Sequence, residues 1–123
     1  ATALTEYVRG EVWLVSLGAG RPGEPAKNRP AVIVSSTVLN TGRPRDLVAI
    51  VPISASLAPS ALRPEVPVSA GVKRASTAVC GAVRALASGR LLKRLGALDA
   101  ATLAQVSDAL GVILETAPVD RAR

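Results

Sequence analysis

Residues 27–36 read "KNRPAVIVSS", and the fold turns on this stretch. A Pro stands directly before a run of small and β-branched apolar residues. Pro has no N–H to give to a ladder and fits the first position of a strand or its edge. The run therefore predicts a buried strand over 30–35, with Arg29 held at its start by a stiff neighbour. The same grammar extends to both sides. "EVWLVS" (11–16) alternates Val12, Leu14 and Ser16 with Trp13 and Val15, the period of a strand. Between the two strands, "GAGRPGEPAKN" (18–28) is rich in Gly and Pro and reads as a loop. Downstream, "NTGRPRD" (40–46) is turn chemistry, "LVAIVP" (47–52) a third strand, and "ASLAPSALRP" (55–64) a second irregular loop. A short strand over 65–68, a turn at "SAGVKR", and a long strand "STAVCGAVRAL" (76–86) with Gly81 as a bulge complete the β part.

The period then changes. "SGRLLKRL" (88–95) predicts a short helix capped by Ser88, with Arg90, Lys93 and Arg94 on its solvated face or near a dimer contact. "LDAATLAQVSDALGVILETA" predicts a longer helix. Asp99 is its N-cap, Leu103, Val106, Leu110 and Ile113 form one apolar stripe, and Pro118 ends it. The tail "VDRAR" is expected to fray. Five or six short strands followed by a helix make a mainly β chain, a small bent sheet or barrel with a C-terminal helix packed on it. One domain is expected over 1–123, with its core at about 9–115.

Composition narrows the chemistry. The chain has 123 residues, 49% apolar, with no Phe or Met, so Val, Leu, Ile and Ala must build the core around Trp13 and Tyr7. Trp13 lies within an apolar strand and reads as core or interface, not as a base-stacking platform. Lys and Arg number 15 against 9 acids, a net charge of +6, and twelve of the cations are Arg, the side chain suited to forked contacts with phosphate. No His is present, which removes the usual acid–base group and the commonest metal ligand. With one Cys, expected to be a buried strand residue without a role, and scattered acids, no metal site and no cofactor are expected. The polar start, the single Cys and the lack of a long apolar run point to the cytoplasm and away from a membrane.

Three blocks in order carry a family likeness: "RGEVWLVSL", then "GEPAKNRPAVIVSS", then "LVAIVPIS", followed late by "RLLKRLGALDAATLAQVSDALGVIL". Together they resemble the MazF/PemK family of toxin endoribonucleases over nearly the whole chain, from Arg9 to about Leu114. The resemblance implies a small SH3-like β-barrel of the MazF/CcdB/Kid type with a C-terminal helix, and a homodimer. It implies a toxin that cuts single-stranded RNA, often mRNA, at a short sequence and without metal. It also implies a cognate antitoxin whose flexible acidic tail blocks the RNA groove.

RNA carries its own nucleophile, the 2′-hydroxyl, which attacks the adjacent phosphorus and leaves a 2′,3′-cyclic phosphate and a 5′-hydroxyl. The protein must hold the phosphate in line, neutralise charge on its oxygens and manage two protons. By the resemblance, Arg29 grips the scissile phosphate. Ser54, where the family usually has Thr, offers a hydroxyl to a phosphate oxygen or to the leaving 5′-oxygen. Glu24 matches the family's loop acid and either accepts the 2′-hydroxyl proton, contacts a base or orients Arg29. Arg21, Lys27 and Arg63, on the two loops that border the groove in the family, and Arg84 after Gly81 are the candidates for RNA contact. Where the family carries an acid–Gln pair, this chain reads "CGAV" (80–83), so sequence preference does not transfer. A rival reading is a non-catalytic toxin like CcdB that binds gyrase, but the end "TAPVDRAR" lacks the aromatic that function uses. Another is a degenerate member that binds RNA or antitoxin without cutting.

Overall fold

The computed structural model describes residues 6–18, 27–36 and 38–116. Seven strands and one helix follow in order: β1 (Glu11–Ser16), β2 (Asn28–Ile33), β3 (Leu47–Ser54), β4 (Glu65–Val66), β5 (Ser76–Ala78), β6 (Arg84–Ala87), β7 (Leu91–Ala97) and α1 (Ala100–Ile113). All the strand pairings are antiparallel. β1 pairs with β2 and β7, and β2 with β3. The far edge of β3 is shared by β6 along its first half and β5 at its end.

The chain itself forces this sheet to curl. β6 and β7 lie at opposite edges of the path β7-β1-β2-β3-β6, yet only the 3-10 turn Ser88–Arg90 joins them. Three linking residues span at most roughly 14 Å, whereas the edges of five flat strands stand roughly 19 Å apart. The strands therefore wrap round a small core of Trp13, Val15, Ala31, Ile33, Val48, Ile50, Leu86 and Leu91, into which Tyr7 also packs. Their alternate residues point the other way. Val12, Val32, Val51 and Ile53 meet Val66, Ala78 and the α1 residues Val106, Ala109 and Leu110 in a second core. Both faces of the central strands are buried, which is why β1 to β3 read as nearly continuous apolar runs. Trp13 belongs to the first core.

The helix forms where its stripe predicts. Asp99 caps it, its side chain accepting from the Thr102 amide at 2.7 Å. Leu103 and Ile113 pack at the margin of the second core, and Val106 and Leu110 are buried. Arg9 fastens the helix to the sheet, donating to the Val34 carbonyl and to the Ser107 hydroxyl. Pro118 and the tail lie outside the described residues. Among the described residues, no helix is long and apolar enough to cross a membrane.

Several boundaries differ from expectation. β2 starts two residues earlier and β3 runs two residues further. The strand at 65–68 keeps only Glu65 and Val66, and Val68–Ala70 forms a 3-10 turn. The long strand over 76–86 is broken by a 3-10 turn at Cys80–Ala82, so Cys80 and Gly81 lie in that turn and Gly81 is no bulge. The break has a reason: β5 and β6 pair with different halves of β3, and the turn carries the chain from one to the other. The helix expected over 88–95 is a 3-10 turn and then β7. Its Leu spacing suits a helix, but an open edge of β1 takes it as a strand, a case of tertiary pairing overriding local propensity. Ser88 caps no helix; it is buried, and its hydroxyl donates to the Arg43 carbonyl.

Candidate nucleic-acid interface

An open cleft of about 430 Å³ lies on the face of the sheet away from Trp13. Its floor follows from the strand registers. Lys93 of β7 stands opposite Leu14 of β1, and Leu14 opposite Pro30 of β2, so the three form a row on one face. Ile53 and Leu95 extend the apolar floor. The connection from β4 to β5 makes the wall with Gly71, Val72, Lys73, Arg74 and Ser76. It is brought there by Gly71 and Gly96, where the two backbones meet without room for a side chain. The Ser76 hydroxyl donates to the Arg74 carbonyl at 2.8 Å and fixes the bend before β5.

Arg29, the second residue of β2, borders this cleft with its side chain exposed, and its register opposite Val15 sets it on the strand face opposite to Pro30 and Leu14. Lys73, Arg74 and Lys93 line it too, and among the described residues no carboxylate does. Among the described residues, none of these four side chains has an ion pair or a hydrogen bond. Four cations over an apolar floor, with no acidic partner among the described residues, make a receptor for an anion with apolar parts.

Ser54 ends β3 opposite Thr77 of β5. It is half-buried, and its neighbours Ile53 and Ala55 line the cleft while Ser54 itself does not. Its hydroxyl oxygen accepts from the Ser56 amide at 3.2 Å, and among the described residues its hydroxyl proton has no acceptor. Glu24 and Arg21 lie outside the described residues. Lys27 prolongs the β1–β2 ladder toward their loop: its amide donates to the Gly18 carbonyl at 3.2 Å and its carbonyl accepts from the Leu17 amide at 3.1 Å. Arg63 closes a tight turn with Ser60, and Arg84 opens β6 opposite Ile50. All three side chains are exposed, and none lines the cleft that holds Arg29.

The cleft thus joins Arg29 to three cations that sequence reasoning did not group with it. Lys73 and Arg74 sit in a turn without a local signal. Lys93 was hidden by the helical reading of its strand.

The remaining polar groups hold the frame. Burial raises the Glu11 carboxyl, but hydrogen bonds from Arg94, the Val8 amide and the Trp13 indole outweigh it and leave the pKa below the usual value. Burial alone pushes the Cys80 thiol up, which keeps it a protonated, inert group. Among the described residues, no three His, Cys, Asp or Glu side chains cluster as metal ligands do.

Residues 8–114 match the family described as PemK-like, MazF-like toxin of type II toxin–antitoxin system. The chain is 34% identical over 113 residues to endoribonuclease MazF9 of Mycobacterium tuberculosis, an alignment covering 87% of this chain and 95% of that protein. Its fold is similar to that of MazF in a MazE–MazF structure from Deinococcus radiodurans, with a TM-score of 0.75, 21% identity, and 91% and 100% of the two chains covered. It is also similar to a mycobacterial endoribonuclease solved with its cognate antitoxin, with a TM-score of 0.71, 20% identity, and 93% and 100% covered.

Proposed function

The chain belongs to the PemK-like, MazF-like toxins of type II toxin–antitoxin systems, and on that premise we propose that it is a metal-independent endoribonuclease of single-stranded RNA, with mRNA its foremost target. It works in the cytoplasm as a homodimer and is silenced by a cognate antitoxin with an acidic flexible tail. One observation carries the reading: Arg29 borders a cleft lined, among the described residues, by four cations and no acid, beside the end of β3 that bears Ser54.

The chemistry needs little more. The RNA 2′-oxygen bonds to phosphorus, and the bond from phosphorus to the 5′-oxygen of the next nucleotide breaks. A 2′,3′-cyclic phosphate and a 5′-hydroxyl result. Arg29, planar and permanently charged, holds the phosphate oxygens in a forked contact as their charge grows. Its own proton stays on. The Ser54 hydroxyl keeps its proton available while its oxygen accepts from Ser56, so it can donate to a phosphate oxygen or to the leaving 5′-oxygen. Glu24, on the loop between β1 and β2, takes the 2′-hydroxyl proton, contacts a base or orients Arg29. Lys27, Arg63, Arg84 and Arg21 contact RNA outside the reacting phosphate.

The test is incubation of the purified protein with mixed single-stranded RNA in EDTA, followed by end-group analysis. Fragments ending in 2′,3′-cyclic phosphate and starting with 5′-hydroxyl are expected, and their ends report the cut sequence. Intact RNA would sink the reading.

A further inference from the structure

We infer that Lys73, Arg74 and Lys93 form a second phosphate-binding row in the cleft that Arg29 borders, and that it holds the backbone of the substrate RNA strand beside the cut position. The inference rests on the endoribonuclease reading above. It assigns a binding role to three residues that lie far from Arg29 in sequence and meet it only in the folded chain.

Two observations carry it. The first is charge. Lys73, Arg74 and Lys93 line the same cleft as Arg29, and among the described residues the cleft has no lining carboxylate and these cations no ion pair. Like charges gathered in a low-dielectric cleft repel, so the fold gains nothing from their proximity; a polyanion does. The second is the floor. Leu14, Pro30, Ile53, Val72 and Leu95 offer apolar contact between the charged walls. A nucleic acid strand presents both a charged backbone and the faces of bases.

The row is built by tertiary contacts. The register of β1 with β7 sets Lys93 beside Leu14, and the close approach of Gly71 and Gly96 sets the turn bearing Lys73 and Arg74 against β7.

The experiment uses the full chain with Lys73→Gln, Arg74→Gln and Lys93→Gln combined. A control carries Arg43→Gln and Arg45→Gln, which remove charge outside the cleft. The probe is a mixed-sequence single-stranded RNA with 2′-O-methyl groups, which binds but lacks the nucleophile. Its Kd is followed from low to physiological salt. Each phosphate contact on a single strand contributes about 0.7 to the slope of log K against log salt, so the triple variant should lose about 2 from that slope. It should also bind at least about tenfold more weakly at low salt, with the control and the thermal stability of the triple variant unchanged. A triple variant with wild-type affinity and slope, in a protein that still cuts unmodified RNA, overturns the inference and leaves the endoribonuclease reading standing. A wild-type protein that neither binds the probe nor cuts RNA overturns both. A triple variant that keeps RNA but releases a poly-glutamate peptide bound by wild type gives the row to an acidic polypeptide, and the inference falls.

Discussion

The backbone at Gly71 lies so close to Leu95 that a Cβ on Gly71 would stand 2.3 Å from the Leu95 carbonyl oxygen. Gly71 also has φ near +105°, in the left-handed region. Both facts forbid a side chain, and the neighbouring atom is backbone, which cannot swing away. Gly71→Ala is expected to cost roughly 2–4 kcal/mol, from left-handed strain plus a displaced strand. Gly81→Ala is the contrast, since a Cβ there meets nothing within 4 Å. Urea denaturation of the two variants checks this. Equal midpoints would mean that the turn does not clamp β7.

Arg29→Ala should lower kcat for RNA cleavage about a hundredfold or more, the scale of losing a preorganised donor to the transition state. Its stability should stay near wild type, because the side chain is exposed and makes no hydrogen bond among the described residues. Arg29→Lys keeps the charge but not the fork, and should recover only part of the rate. Single-turnover rates with saturating protein separate this from weaker binding. A fully active Arg29→Ala would move the site elsewhere.

Ser54 holds the Ser56 amide as well as offering its proton, so its removal has two consequences. Ser54→Ala should slow cleavage about tenfold or more. Ser54→Thr restores both hydrogen-bonding functions and should be close to wild type. If Ser54→Ala and Ser54→Thr cut at the same rate, the hydroxyl takes no part in proton handling.

Glu11 ties Arg94 at 2.5 Å, the Val8 amide at 2.7 Å and the Trp13 indole at 3.3 Å. Its folded pKa is lowered. A carboxyl whose pKa falls on folding adds stability that is full above its unfolded pKa and is lost as pH drops through the folded one. Acidification below the ordinary carboxylate range should therefore destabilise the wild type more than Glu11→Gln. Melting temperatures across acid pH test the sign. Parallel curves for the two proteins would remove Glu11 from the acid response.

The readable parts of the chain were those whose signal is local. Strands β1 to β3 announce themselves because both faces of their central residues are buried, which favours apolar, β-branched residues there. The helix is legible from Asp99 and its 3-4-3 stripe for the same reason: cap and periodicity lie within one segment. Arg29 and Ser54 stood out because they abut those strands. Lys93 did not, since "RLLKRL" is as good a helix as a strand, and only the free edge of β1 decides between them. Nor did the break at Cys80–Ala82, which exists because β5 and β6 pair with different halves of β3.

Local chemistry therefore settled the mainly β class, the terminal helix, the family and the Arg at the start of β2, because each is written in adjacent residues. The cleft was settled by folding alone. Lys73, Arg74 and Lys93 come from a turn and an edge strand, and strand register and the contact of two glycines gather them in the cleft that Arg29 borders. Such a gathering of like charges is opposed by their repulsion and has no sequence signature. It persists because apolar burial beneath it holds the walls in place.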